Sequence, residues 1–392
     1  MIISTDLPNK IMGSVRALLG NPDGFVQLHE PEFLGNELEL VTDCIRSGWV
    51  SSVGQYVDRF EVEIAKACGT LNGVAVVNGT AALEVALRVV GVRPGDEVLM
   101  PALTFIATAN AIHHLGAVPH FVDVEERTMG LDPLSLRAHL NQIAEIRNGI
   151  AINGQTGRPL AAVVPMHAFG HPVDMIGLAD VAKEFGLKIV EDAAEALGSQ
   201  LEGRPCGSLS QIAALSFNGN KILTTGGGGA IVTNDPEMAA RVKHLTTTAK
   251  LPHKWAFYHD EIGYNYRMPN INAALGVAQL AQLQTRITQK RALAQRYIDS
   301  FAGMDDVSVF TERDGTRANY WLITLLLSSE ASNSRDMVLK CLNDAGLMSR
   351  PVWEPMHRLN IYSNCPRSDL RITEDLAARI INVPSSAKLA LS

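Results

Sequence analysis

The stretch "GVAVVNGTAALEVALRVVGV" constrains the fold most, because it runs from strand through turn to helix without a break. Val74 to Val77 form an apolar run, Asn78-Gly79-Thr80 turns the chain, and Ala82, Leu83, Ala86, Leu87 and Val90 recur at helical spacing. "DEVLMPALTFIATANAIHHLGAVPHFVDV" repeats the plan, with strands predicted at Glu97–Met100 and Val118–Val122 around a helix from about Thr108 to Leu115. "LAAVVPMHAFG" and "LKIVEDAAEALGS" add two apolar strands that end in polar residues. Strands joined through helices lie parallel, and a parallel sheet is covered by helices on both faces. The expected class is α/β with a mostly parallel central sheet, whose ligands bind at the carboxyl ends of the strands.

Near residue 245 the rhythm changes. "MPNINAALGVAQLAQLQTRITQKRALAQRYIDSF" keeps helical periodicity for longer than a usual globular helix and reads as one connector between two units. Beyond it, "NYWLITLLL" is predicted as a strand, "SRDMVLKCLNDAGL" as a helix stopped by Gly346, and "ARIINVPSSAKLALS" as a short strand and turn. The expected division is an N-terminal segment plus a large domain over residues 1–245, and a connecting helix plus a smaller C-terminal α+β domain over residues 246–392. A chain of 392 residues, 46% of them hydrophobic, can fill two cores.

Charge and spacing exclude several classes. The formal net charge is 34 − 41 = −7, which offers no basic field to nucleic acid or an anionic membrane. No run approaches the roughly 18 apolar residues of a membrane span, and the start has no basic-then-apolar secretion signal. Cys44, Cys68, Cys206, Cys341 and Cys365 form no C-x-x-C pair, so neither a disulfide framework nor a thiolate metal site is indicated. A cytoplasmic protein is expected.

The chemistry is sought at the strand ends. "LSFNGNKILTTGGGGAIVTND" sets Lys221 before four glycines, where missing Cβ atoms let the backbone approach other groups closely. Such a lysine is either a solvated surface charge or a nucleophilic amine. Asn78-Gly79-Thr80-Ala81 is either an ordinary cap and turn or a phosphate site, since free amides and the helix dipole favour an anion there. It carries neither the G-x-x-x-x-G-K-[ST] loop nor the G-x-G-x-x-G fingerprint. Asp192, at the end of a buried strand, either caps a following helix or meets a cationic partner, because a lone buried carboxylate is costly. A pyridinium nitrogen is a suitable partner, for a pyridoxal ring draws electrons only while that nitrogen keeps its proton. His167 and His171 lie close in sequence, but no third ligand of suitable spacing follows, so no metal is expected.

Together with "SGWVSSVGQYVDRFE", "VNGTAAL", "PALTFIATANAI", "PMHAFGHPVDM", "VEDAAEALGS", "GYNYRMPNINAALGVAQL" and "RPVWEPMH", these segments resemble the DegT/StrS nucleotide-sugar aminotransferases from about Leu28 onward. The resemblance implies a PLP-transferase type I fold, like that of aspartate aminotransferase, and pyridoxal 5'-phosphate as cofactor. It implies Lys221 as the amine that condenses with the cofactor's aldehyde and moves the proton, and Asp192 as the partner of the pyridine nitrogen. Gly79, Thr80 and Ser216 would bind the phosphate. Phe105, by spacing as readily a core aromatic, would lie on the ring face. Asn265 would reach the phosphate of a neighbouring subunit's cofactor, so the implied partner is a second copy in a homodimer with shared sites. Trp49, Arg267, Trp353 and His357 would line the sugar-nucleotide cleft.

Glu195 stands where this family often has Gln or His against the cofactor's 3-hydroxyl, so its carboxyl is expected to be protonated or turned away. Lys221 must be neutral to attack a carbonyl, which neighbouring cationic groups would favour. Its retention, where a dehydrating branch has histidine, favours amino transfer over deoxygenation. The implied reaction takes nitrogen from an amino acid, glutamate, to a nucleotide-linked 4-keto-6-deoxy sugar. "LHEPEFLGNE" and the lysine block are most similar to members acting on UDP-4-keto-6-deoxy-N-acetylglucosamine in bacillosamine or legionaminic-acid pathways. The alternatives are a pyridoxal-phosphate lyase or dehydrase on a similar sugar, and a non-enzymatic cofactor-binding regulator.

Overall fold

The computed structural model describes residues 6–391; the first five residues of the start judged free of a secretion signal lie outside them. Seven strands, β1 (Asn72–Val76), β2 (Glu97–Pro101), β3 (Val118–Val122), β4 (Leu160–Val163), β5 (Lys188–Asp192), β6 (Ile212–Ser216) and β7 (Gly229–Thr233), make one sheet. Its order is β1-β7-β6-β5-β4-β2-β3. Every pair from β6 to β3 is parallel, and β7 alone runs against both its neighbours.

Twelve helices are described: α1 (Leu7–Leu18), α2 (Glu37–Ser47), α3 (Gln55–Ala67), α4 (Gly79–Val89), α5 (Ala107–His114), α6 (Pro133–Ile143), α7 (Met175–Phe185), α8 (Pro236–Thr246), α9 (Asn270–Leu280), α10 (Leu283–Phe301), α11 (Arg335–Asp344) and α12 (Arg371–Arg379). Alternation along the strands decides which helices they meet. Val74 and Val76 of β1 pack with Leu83 and Leu87 of α4, Ile112 of α5 and Val242 of α8. Ala75 between them faces Phe60 and Ile64 of α3 and Ala273 and Val277 of α9. Farther along that second face, Leu99 and Val163 pack under α6 and α7.

A second, antiparallel sheet of β8 (Val307–Val309), β9 (Ile323–Leu327), β10 (Arg350–Pro351) and β11 (Ile380–Val383) has the order β8-β9-β11-β10. Ile323, Leu325, Ile381 and Val383 pack there with Tyr297 and Phe301 of α10 and Val338 and Leu342 of α11. Leu7, Ile11 and Val15 of α1 join this core, and Ala273, Ala274 and Val277 of α9 join that of the large sheet.

Two local expectations are corrected. The single connector helix is two helices, α9 and α10, broken at Ala281 and Gln282 with neither glycine nor proline at the break. The apolar faces diverge: Ala273, Ala274 and Val277 serve the large sheet, whereas Leu293, Ala294, Tyr297 and Phe301 serve the small one. The strand predicted from Asn319 begins at Ile323, because Tyr320 takes a left-handed φ of 49° that no strand continues. Among the described residues no helix is long and apolar enough to cross a membrane.

Candidate active site

The carboxyl ends of β1, β5 and β6 open into a cavity of about 230 Å³ that Trp321 and Trp353 also line. Eight expected residues line it together: Gly79, Thr80, Phe105, Asp192, Glu195, Ser216, Lys221 and Trp353. Four do not. Asn265 is exposed outside the cavity. Trp49, 58% exposed, borders a separate surface hollow. His357 holds Glu374 through Nε2. Arg267 is buried between α3 and β1, with Nη2 2.5 Å from Glu61 Oε1 and Nη1 donating to the Ala75 carbonyl at 2.9 Å. The sequence could not separate these four from cleft residues, because their burial and partners are set by distant segments.

α4 builds one end of the cavity. Asn78 is extended, its Oδ1 accepts the Ala81 amide at 2.8 Å, and its carbonyl accepts the Ala82 amide. The amides of Gly79 and Thr80 therefore point past the cap with no acceptor among the described residues. Glycine is required at 79, since a Cβ there would lie 2.8 Å from Ser216 Cβ. The glycine tract serves the same end: a Cβ on Gly229 would lie 2.5 Å from the Asn78 carbonyl, so only glycine lets β7 pass under the turn.

Asp192 ends β5, and only turns follow, so it caps no helix. Its Oδ2 accepts the Thr108 hydroxyl at 2.7 Å and its Oδ1 the Ala194 amide at 3.2 Å. Burial pushes this carboxyl's pKa up, against the opposing pull of those donors and of Lys221. Its neighbour Glu191 faces the other way and accepts from His167 Nε2, at 3.0 Å, and from the Gly207 and Leu209 amides.

Lys221 is not a surface charge: its side chain is 11% exposed. Nζ lies 3.0 Å from Glu195 Oε1 and 3.9 Å above the centre of the Trp321 ring. Glu195 is thus not turned away. Its second oxygen accepts the Phe169 amide at 2.9 Å, while burial raises its pKa and Lys221 opposes the rise. The groups on the amine are a carboxylate and an indole, not the cations expected. Phe105 is no core aromatic; it is 49% exposed at the rim, 6.5 Å from Trp353, whose ring stacks on Phe169 at 5.0 Å.

His167, Glu191 and Cys206 do come within ligand distance of one another. Val173 donates its amide to His167 Nδ1, so the proton sits on Nε2, the atom a metal would need bare, and it points at Glu191. Among the described residues His171 belongs to no such group, and its ring lies between Phe310 and Tyr320 with neither nitrogen bonded to any of them. Thr108, Asn218, Asn220 and Trp321 also line the cavity and were not anticipated. Thr108 stood within a quoted block, but nothing local marked Trp321.

The residues present fit pyridoxal phosphate. A buried carboxylate lacks a bonded cation, two helix amides lack an acceptor, and a shielded amine faces the same space. Comparison with known proteins agrees. The GDP-perosamine synthase of Caulobacter vibrioides is 36% identical over 93% of this chain and 94% of its own length. That of Escherichia coli O157:H7 is 36% identical over the same shares. Spr1654 from Streptococcus pneumoniae, solved in its PLP form, superposes with a TM-score of 0.82 at 25% identity, covering 92% of this chain and 93% of that one. Residues 32–392 match the DegT/DnrJ/EryC1/StrS aminotransferase family, and the chain belongs to that family of pyridoxal-phosphate-dependent sugar aminotransferases.

Proposed function

We propose that the chain moves an amino group from L-glutamate to the ketone of a 4-keto-6-deoxy sugar carried by a nucleoside diphosphate. The observation that supports this most is the meeting of Lys221 Nζ, the Asp192 carboxylate and the free amides of α4 around one cavity. Bound there, the cofactor supplies an aldehyde that takes up nitrogen and a ring that accepts electrons when the neighbouring C–H bond breaks.

The chain's own residues would hold and orient it. Gly79 and Thr80 amides, with the Thr80 and Ser216 hydroxyls, would bind its phosphate. Asp192, itself oriented by Thr108, would keep the ring nitrogen protonated. Phe105 would cover one ring face. Lys221 Nζ would attach the cofactor and later carry the proton at the reacting carbon, with Glu195 Oε1 as its acceptor. Trp353 would border the sugar. Asn265, exposed on the surface, would serve the phosphate site of a second copy in a homodimer.

The base has two readings. The two perosamine synthases favour a GDP-linked sugar, whereas the sequence blocks favour UDP-4-keto-6-deoxy-N-acetylglucosamine. Holoenzyme, glutamate and a panel of GDP-, UDP- and dTDP-linked 4-keto-6-deoxy sugars, followed by mass spectrometry, tests both. An amino sugar formed with 2-oxoglutarate is expected. A dehydrated product without nitrogen would instead establish the lyase alternative.

A further inference from the structure

Resting on Lys221 as the cofactor-holding amine, we propose that Trp321 is its positioning residue, delivered to the cavity by a kinked strap, Asn319-Tyr320-Trp321, that precedes β9. The strap leaves the strand direction because Tyr320 sits at φ 49°, a conformation a bulky residue holds only when its surroundings fix it. They do: the Tyr320 hydroxyl accepts the Glu312 amide at 3.3 Å, and the Arg291 guanidinium lies 5.8 Å from its ring centre.

The kink turns the Trp321 indole under the amine. Its Nε1–H donates to the carbonyl of Asn220, the residue preceding Lys221, at 2.6 Å, and its ring centre lies 3.9 Å from Nζ. Asn319, fully buried, accepts the Trp321 amide on Oδ1 at 2.7 Å and donates through Nδ2 to the carbonyls of Glu195 and Leu197 at 2.9 and 3.0 Å. One strap therefore fixes the backbone before the lysine, the backbone of its carboxylate partner, and a ring face against the ammonium.

Lysine has a flexible four-carbon stem, so an amine that must meet an aldehyde in one geometry needs walls. Glu195 forms one wall and the indole the other. Any buried indole needs an acceptor for its N–H, but one serving only to fill the core would not need its ring face under Nζ.

The test uses the full chain as wild type, W321F and W321A, each loaded with pyridoxal phosphate. Four quantities are read: the rate at which the visible band forms, its circular dichroism per bound cofactor, the site labelled after borohydride, and the melting of the cofactor-free form. Wild type is expected to carry the label on Lys221. W321A should form the band about tenfold more slowly and lose more than half its dichroism per cofactor, while W321F, with a ring but no N–H, recovers part of both. Wild-type rate and dichroism in W321A overturn the proposal while leaving Lys221 in its role. If W321A does not fold, wild-type rate and dichroism in W321F overturn it equally. A wild-type label on another lysine defeats the reading of Lys221, and the proposal with it.

Discussion

Replacing Arg267 by methionine distinguishes a cleft residue, which family resemblance implies, from a buried structural one. In the structure the guanidinium joins α3 to β1, through Glu61 Oε1 and the Ala75 carbonyl. Methionine keeps most of the stem and removes the charge and both donors. Breaking a buried ion pair from one side costs about 3–5 kcal/mol, because the remaining charge loses its partner. Glu61 here retains the Ala75 amide at 2.9 Å and Lys243 Nζ at 3.2 Å. The loss should therefore fall below that range, at about 2–3 kcal/mol. For a chain of this length that lowers Tm by roughly 2–4 °C. Thermal melts read the first effect, and initial rates against nucleotide-sugar concentration read the second. KM should change less than about twofold, since the site of substitution lies outside the cavity. An unchanged melt with KM raised about tenfold, equivalent to about 1.4 kcal/mol of lost binding, would show that the side chain serves the cleft and refute the buried assignment.

His171 has no hydrogen-bond partner in its aromatic cage, and burial lowers its pKa from 6.5 to about 3. Its folded pKa is depressed, so its share of stability is complete above 6.5 and lost as pH falls toward 3, about 2 kcal/mol by pH 5. His171→Phe should flatten the pH dependence of urea unfolding across that window; parallel wild-type and variant curves would contradict the cage. Asp192→Asn keeps the Thr108 contact but not the charge, so kcat should fall about 10- to 100-fold while the visible band still forms; full activity would remove Asp192 from the ring nitrogen. Glu195→Gln weakens the charge-assisted contact at 3.0 Å that Lys221 Nζ must leave to reach an aldehyde, so pyridoxal phosphate should be captured several-fold faster. Unchanged or slower capture, followed by absorbance, would show that the ion pair does not govern the amine.

What could be read from the sequence was what lies next to it in the chain. Val118–Val122 is predicted and observed with the same ends because a short, mostly apolar run between Gly116 and Asp123 needs no distant help. The same holds for Asn78 through Ala81, where strand, cap and helix start follow in order, and their place in the cavity comes with them. Helical periodicity in the connector, by contrast, says that residues are helical but not which core they serve. Only the separate partners of Val277 and Tyr297 reveal why the chain bends at Ala281. Arg267 shows the same limit in a side chain, since Glu61 is far away in sequence and nothing beside the arginine announces it.

The two halves of the cavity differ in this respect for a physical reason. The half made by α4, β5 and β6 consists of strand ends, which a parallel sheet gathers along one edge whatever the rest of the chain does. The half made by Trp321 and Trp353 comes from the second sheet and reaches the lysine only through contacts such as Asn319 to Glu195 and Trp321 to Asn220. The groups proposed to touch the cofactor's phosphate and ring nitrogen lie in the first half, and these carry recognisable local patterns. The proposed control of the amine, and with it the proposed contact of Trp353 with the sugar, would depend on how the second half is seated. On that proposal, exchanging residues at the junction between the sheets should alter specificity and cofactor capture before it alters the reaction type.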